Sequence, residues 1–378
     1  MLIGIDASRA VGPLRTGTEN YSLHLIRALL ETGGGHYYRL YFNYPVGHRQ
    51  PPASHLFPPG PWEARVIPFP RLWTHLRLSW EVSRHPPDVL FIPAHVLPLL
   101  DPRRSVVTVH DLGFRYFPQA HRPLDRWYLE WSTRYHARAA AHLLADSEAT
   151  KQDLIEAYGV SPGRITVVYP GRDESLKRVK DPSAIEVIKT RYGIKGDYIL
   201  HLGTLHPRKN LLRLVEAFAL LQKDLGPRTS DWRLVLAGRK GWLYEPLFRR
   251  VAALGLEDGV VFTGYIPQGD LAPLLSGAHC FAFPSLYEGF GFPVLEAMTC
   301  GTPVICSDTS SLPEVVGDAA LLVDPEDSQA WAEALRRLLT NAELRRSLIQ
   351  RGYRQVQRFS WPRAAQQVLE VFAEVGSG

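Results

Sequence analysis

The sequence predicts an α/β protein of two parallel-sheet domains, on three observations. Apolar strand-like runs alternate with longer helical patterns along the whole chain, the series of runs stops once and restarts, and 378 residues exceed what one hydrophobic core usually organises. The first series is Leu2–Asp6, Tyr38–Asn43, Arg65–Pro68, Val89–Ile92, Val106–His110, His142–Ala145 and Ile165–Tyr169. Pro170 to Gly196 is polar, charged and poor in long apolar patches, and it reads as a linker. After it, Tyr198-Ile-Leu-His-Leu-Gly opens the second series, which continues with Arg233–Ala237, Val260–Phe262, Cys280–Phe283, Pro303–Cys306 and Ala320–Val323. Trp361 to Val375 has the apolar spacing of an amphipathic helix. Ligands of open parallel sheets bind near the carboxyl ends of the strands, so residues just after each run are the first candidates for chemistry.

Composition removes several classes. Hydrophobic residues at 45% and charged residues at 21% describe an ordinary globular chain, neither disordered nor fibrous. Cys280, Cys300 and Cys306 lie in or beside apolar runs without metal spacing, which favours reduced thiols in the cytoplasm over a disulfide framework or a zinc site. The start of the sequence enters a strand pattern at once, so no signal peptide is expected. Val89 to Leu100 is the longest apolar stretch, and with Pro93 and Pro98 in it no bilayer span is expected. The Pro-rich stretch 51–61 reads as a surface loop.

The net charge of +5 is unevenly placed. Residues 1–180 hold 22 Lys and Arg against 16 Asp and Glu, while residues 181–378 hold 21 against 22. The arginines are scattered, without a basic run or interleaved stacking aromatics, so nucleic acid is not expected as a partner. A basic first half suits an anionic lipid surface at the inner membrane face or a phosphate-bearing acceptor, and equally an ordinary solvated surface.

The densest chemistry lies in Ser285-Leu-Tyr-Glu-Gly-Phe-Gly-Phe-Pro-Val-Leu-Glu-Ala-Met, where Glu288 and Glu296 have seven residues between them. Gly289 and Gly291 break the preceding strand, and Pro293 suits the first turn of a helix carrying Glu296. Amides freed by the glycines and the helix start can approach an anion, while the carboxylates can accept hydrogen bonds from paired sugar hydroxyls. In isolation the spacing also describes a solvated glutamate in a loop. Arg208 and Lys209 follow the strand Ile199–Leu202, and Asn210 begins the next helix, so both cations stand at a carboxyl strand end where they could neutralise phosphate or simply cap a loop. His110-Asp111 ends another strand and reads either as a ligand contact or as a structural hydrogen-bonding pair. Gly17 precedes a helix in the loop after the first strand. Ser311-Leu-Pro-Glu314 spells a capping box.

These segments, with Leu2-Ile-Gly-Ile-Asp, Leu144-Ala-Asp-Ser-Glu, Val167-Val-Tyr-Pro-Gly and Phe359-Ser-Trp, resemble retaining glycosyltransferases of family 4 over nearly the whole chain. The resemblance implies a GT-B fold: two Rossmann-like domains facing across a cleft, residues 1–175 with a crossover helix at 360–378 on the acceptor side, and 176–359 holding the nucleotide sugar. It implies that Glu288 and His110 reach the transferred sugar, that Arg208 and Lys209 meet the pyrophosphate, and that Glu296 takes the ribose hydroxyls. Gly17, the backbone of Phe290, Gly291 and Phe292, and the main chain at Tyr265 and Ile266 would line the donor, and Ser311-Leu-Pro-Glu314 would lie near the site. Many members carry arginine where this chain has Thr204, so either Arg208 takes that role or the role is unfilled. The implied activity is metal-independent transfer of a hexose, with retention, from a nucleoside diphosphate sugar to a glycan or lipid-linked hydroxyl, with no cofactor. The form Gly-Thr-Leu-x-Pro-Arg-Lys-Asn resembles bacterial mannosyltransferases of polysaccharide assembly and favours GDP-mannose weakly over UDP-sugars. A nucleotide-sugar epimerase or hydrolase of the same fold, with Asp111 or Glu19 as base, and a non-catalytic GT-B partner subunit are the alternatives.

Overall fold

The computed structural model describes residues 1–11, 17–43, 56–69, 72–94, 96–100, 104–120, 122–226 and 231–377. Residues 51–55 of the expected Pro-rich loop fall outside the described residues. The chain divides into two compact units. The first comprises Met1–Arg115, Pro123–Gly171 and Phe359–Gly378; the second comprises Tyr116–Arg122 and Arg172–Arg358. The short Tyr116–Arg122 segment thus groups with the second unit although the first surrounds it in sequence.

The first unit is built on β1 (Leu2–Asp6), β2 (Tyr37–Phe42), β3 (Trp62–Val66), β4 (Val89–Ile92), β5 (Ser105–Val109), β6 (His142–Ala145) and β7 (Ile165–Val167). All pairings are parallel, in the order β3-β2-β1-β4-β5-β6-β7. β4 and β5 are buried along their whole length because helices cover both faces, which is why they read as unbroken apolar runs. The last helix, Trp361–Ser377, packs on the first, Gly17–Thr32, and against β4 and β5. Gly171 makes that docking feasible, since a β-carbon there would collide with the Trp361 backbone.

The second unit holds β8 (Asp197–Leu202), β9 (Trp232–Ala237), β10 (Val260–Gly264), β11 (Cys280–Phe283), β12 (Val304–Ser307) and β13 (Ala320–Val323), all parallel, in the order β10-β9-β8-β11-β12-β13. Its core gathers Leu214, Phe218, Leu234, Leu236, Ala282 and Trp331, among others, between the sheet and its helices. Chain order reverses between β8 and β11, and this switch point opens a crevice at the carboxyl ends of those two strands. In the first sheet the reversal lies between β1 and β4.

Two local expectations are corrected. The stretch expected as a linker contains a helix, Pro182–Arg191, capped by Asp181, whose carboxylate accepts from the Ser183 amide at 2.9 Å. The third strand is Trp62–Val66 rather than Arg65–Pro68: it is a sheet edge, lacks a fully buried residue, and so carries a weak apolar signal. Among the described residues, no helix is long and apolar enough to cross a membrane.

Candidate active site

The turn after β8 and the loop after β11 meet across the switch point of the second unit. Pro207–Lys209 forms one tight turn, and Asn210 ends it in the left-handed region (φ 55°) before the helix Leu211–Leu225 begins. The Leu286 amide donates to the Arg208 carbonyl at 2.9 Å, which ties the two segments together. Lys209 Nζ donates to Glu288 Oε1 at 2.6 Å, Arg208 Nη1 lies 3.5 Å from Glu288 Oε2, and Arg208 Nη1 also donates to the Tyr287 carbonyl at 2.6 Å. Lys209 and Glu288 are each only 8% exposed, so this is a buried ion pair with a second cation at its side. Desolvation works against the Glu288 carboxylate, but Lys209 and then Arg208 outweigh it and hold the group at about 2.

Beneath the pair, His201 on β8 is fully buried and stacks on Phe283 at 5.6 Å. Burial and the neighbouring Lys209 charge push it down to about 3, so it is neutral; Nδ1 carries the proton and donates to the Ala282 carbonyl. The Lys209 ammonium stands 4.8 Å above the Phe283 ring.

Glu288 is fixed from its backbone as well. Its amide donates to Ser310 Oγ at 2.9 Å, and Ser311 Oγ reaches the carbonyls of Glu288 and Phe290, both at 2.9 Å. This corrects the capping-box reading of Ser311: the residue precedes the helix Leu312–Val316, but its hydroxyl makes no cap bond there and braces the Glu288 loop instead. Gly291 starts the helix Phe292–Thr299 at φ 107°, with a β-carbon position 2.8 Å from Leu312, so both conformation and space demand glycine. Phe290 is buried and meets Phe292 edge-on at 5.1 Å. Glu296, half-buried on this helix, is pushed up to about 8 by desolvation and by the Asp173 charge. Ile266 follows β10 at the same carboxyl edge and is nearly buried, while Tyr265 is exposed beneath Arg239.

His110 and Gly17 belong to the first unit. Gly17 is exposed at the start of its helix. His110 is buried at the end of β5, with Nε2 2.9 Å from the Pro93 carbonyl and Nδ1 2.6 Å from Asp146 Oδ2. A carbonyl only accepts, so Nε2 carries hydrogen, and a further proton lies between Nδ1 and Asp146. Burial opposes the charged ring, but Asp146 and the two hydrogen bonds raise it above its ordinary value. His110 thus pairs with Asp146, while the adjacent Asp111, whose Oδ1 accepts from the Gly113 amide, adds a second negative charge that favours the imidazolium. Tyr21 stands edge-on to the imidazole at 4.7 Å and shares a contact of 3.2 Å with Thr108 Oγ1. Glu19 is ion-paired with Arg9 at 3.6 Å.

Sequence reasoning brought Arg208, Lys209, Glu288 and the Gly291 turn to one place, and the structure assembles them there. It missed His201, Ser310 and Asp146 as parts of the two networks. Asp146 lay in plain view at the carboxyl end of β6, one strand over from His110.

Two parallel sheets, each with charged groups at its strand ends, and a cation pair on a carboxylate at a switch point define a GT-B glycosyltransferase. The comparisons agree. A family model described as "Glycosyltransferase Family 4" matches residues 15–176 and one described as "Glycosyl transferases group 1" matches residues 185–355. O-antigen chain mannosyltransferase B of Escherichia coli is 33% identical over 270 residues, covering 71% of this chain and 70% of that protein. O-antigen chain mannosyltransferase RfbU of Salmonella typhimurium is 28% identical, covering 74% and 72%. HepE of Anabaena, solved in complex with UDP and glucose, shares the fold with a TM-score of 0.73 at 21% identity, over 98% of this chain and 99% of that one. The chain belongs to glycosyltransferase family 4.

Proposed function

We propose that this enzyme moves mannose from GDP-mannose to a hydroxyl of a glycan or lipid-linked acceptor, with retention of anomeric configuration and without a metal. The carrying observation is the Arg208–Lys209–Glu288 cluster at the switch point of the second unit, beside the helix start at Gly291. The bond from the sugar's anomeric carbon to the phosphate oxygen breaks, and negative charge grows on the leaving pyrophosphate. Arg208, Lys209 and the amides at the helix start are preorganised cationic and dipolar partners for that charge. A carboxylate locked to Lys209 is a poor nucleophile. This supports front-side displacement, in which the acceptor oxygen bonds to the same face of the carbon and its proton passes to the departing phosphate. Glu288 then serves the sugar hydroxyls, and Glu296 the ribose.

Mannose is favoured by the names of the two O-antigen relatives, which also point to polysaccharide assembly. Three buried free cysteines support a reducing, cytoplasmic setting. The test is a donor panel of GDP-mannose, UDP-glucose and UDP-galactose, with the anomeric linkage of the product read by NMR. Transfer from GDP-mannose with retention is expected, at a rate that EDTA leaves unchanged. Transfer from a UDP-sugar alone would overturn the donor, an inverted linkage the mechanism, and EDTA inhibition relieved by magnesium or manganese the metal independence.

A further inference from the structure

The segment Tyr116–Arg122 belongs to the second unit, although Arg115 before it and Pro123 after it belong to the first. Two ring contacts fasten it there. At one end Tyr116, the last residue of the short helix Gly113–Tyr116, stacks on Tyr287 with ring centres 5.0 Å apart and planes 26° from parallel. At the other end the Arg122 guanidinium stands 5.3 Å over the ring of Trp242. Between the two, Pro118–Ala120 forms one turn of 3-10 helix. Tyr287 lies in the loop after β11 and Trp242 in the loop after β9, and these two strands flank β8 in the sheet. The segment therefore grips the loops on both sides of the Pro207–Lys209 turn, which follows β8.

Each gripped loop is tied to that turn. The Tyr287 carbonyl accepts from Arg208 Nη1 at 2.6 Å, and the Leu286 amide before it donates to the Arg208 carbonyl at 2.9 Å. Glu288, which accepts from Lys209, is the next residue along. Tyr287 is buried and Tyr116 is 49% exposed, so Tyr116 is the outer ring of the stack and covers the residue that aims the guanidinium. On the other side, the Leu205 amide donates to the Arg239 carbonyl at 2.8 Å and the Gly241 amide to the Leu205 carbonyl at 2.9 Å. A β-carbon on Gly241 would stand 2.8 Å from the Leu205 carbonyl oxygen and 2.8 Å from Thr204, so glycine is what lets these loops approach. Leu243, next to Trp242, is held in the left-handed region at φ 57°, a conformation that leucine keeps only where its surroundings enforce it. Stacked rings and a guanidinium over an indole are directional contacts, so the segment fixes the orientation of the loops it touches as well as their position.

We propose that Tyr116–Arg122 is a clasp on the donor cluster, and that Tyr116 is a positioning residue for Arg208: by stacking on Tyr287 it holds the carbonyl that aims the guanidinium. Arg122 and Trp242 anchor the far end. The proposal rests on the reading that Arg208 meets the leaving pyrophosphate. The test is steady-state kinetics of the full chain with the donor that the panel selects. Tyr116→Ala should lower kcat roughly ten- to hundredfold, the cost of a small misplacement beside a reacting centre. The donor KM should change less, because aim is lost and charge is kept. The melting temperature should stay near the native value, since the outer ring is half exposed. Tyr116→Phe, which keeps the stack, should restore most of the rate. Arg122→Ala and Trp242→Ala should each give a smaller loss, and both together no more than one alone. The deciding measurement is the double variant Tyr116→Ala/Arg208→Ala, whose rate should match that of Arg208→Ala, because a residue that acts through Arg208 then has nothing left to position. Losses that multiply in the double variant, or a native rate in Tyr116→Ala, would overturn the clasp. A native rate in Arg208→Ala would instead overturn the role proposed for that cation in the transfer itself.

Discussion

Each unit buries an ionic pair at the carboxyl ends of its strands, and the two pairs are built to opposite ends. In the first, both nitrogens of His110 are occupied, by Asp146 and the Pro93 carbonyl, and Tyr21 closes over the ring. Asp146 and the neighbouring Asp111 both place negative charge beside this one ring. In the second, Lys209 and Arg208 converge on the single carboxylate of Glu288, so the trio carries net positive charge beside a helix N-terminus. A pair rich in carboxylate favours a cation at its strand end, and a trio rich in cations favours an anion. The same α/β scaffold therefore sets opposite electrostatic surroundings at two strand ends that are equally buried.

The largest effect should come from breaking the second pair. Lys209→Ala is expected to lower turnover about 10²–10³-fold, the usual cost of removing one preorganised partner of a developing charge. Because Lys209 is buried against Glu288, the variant should also lose roughly 1–3 kcal/mol of stability, since the carboxylate keeps only the longer contact to Arg208. Adding Glu288→Gln should restore much of that stability but none of the turnover, and chemical denaturation alongside single-turnover kinetics separates the two. Recovery of activity in the double variant would mean that Lys209 acts only as a structural partner.

A pH titration should then separate the units. His110 is raised above 6.5, so its pair favours the folded state in acid, and that contribution fades as pH rises through the raised value. Glu288 is lowered from 4.5 to about 2, so its pair contributes above 4.5 and is lost as pH falls towards 2. Asp146→Asn should remove the loss on the alkaline side of 6.5 while leaving the acid limb intact, with melting temperature against pH as the measurement. An unchanged alkaline limb in that variant would show that the His110 pair does not govern it.

Legibility in the sequence followed the reach of each interaction. Central strands such as Val89–Ile92 and Cys280–Phe283 were readable to the residue, because burial on both faces writes a continuous apolar run. The edge strand Trp62–Val66 was displaced for want of that burial, and the helix Pro182–Arg191 was passed over because only Ile188 in it is buried, although Asp181-Pro182 is a good helix-start signal. In the site, residues joined by a short loop were found together. For Ser311 only the capping-box reading failed, because a capping box is a local pattern and the carbonyls that won its hydroxyl lie more than twenty residues away in sequence. Asp146 escaped for the same reason: its bond to His110 joins neighbouring strands, and no spacing announces it.

The smallest effect, and the finest test of the second unit, concerns the two glutamates. Glu288 is ionised at any working pH, whereas Glu296, at about 8, is mostly protonated at neutrality before ligand arrives. If Glu296 accepts two hydroxyl donors from the ribose, binding favours the carboxylate, lowers its pKa and releases a proton. Affinity for the free nucleoside diphosphate should then rise as pH climbs towards 8 and level off above it. Glu296→Gln should weaken that binding by about tenfold at pH 8, less at pH 6, and flatten the profile, because hydrogen bonds to a charged acceptor are worth roughly 1.5–3 kcal/mol and only the ionised form supplies them. Glu288→Gln should leave nucleoside diphosphate binding nearly unchanged and reduce the added affinity of the intact donor. Calorimetry in two buffers of different ionisation enthalpy measures the released proton directly. Binding without proton release, or a flat profile in the native enzyme, would place the ribose elsewhere and return Glu296 to the role of a half-buried acid in the helix.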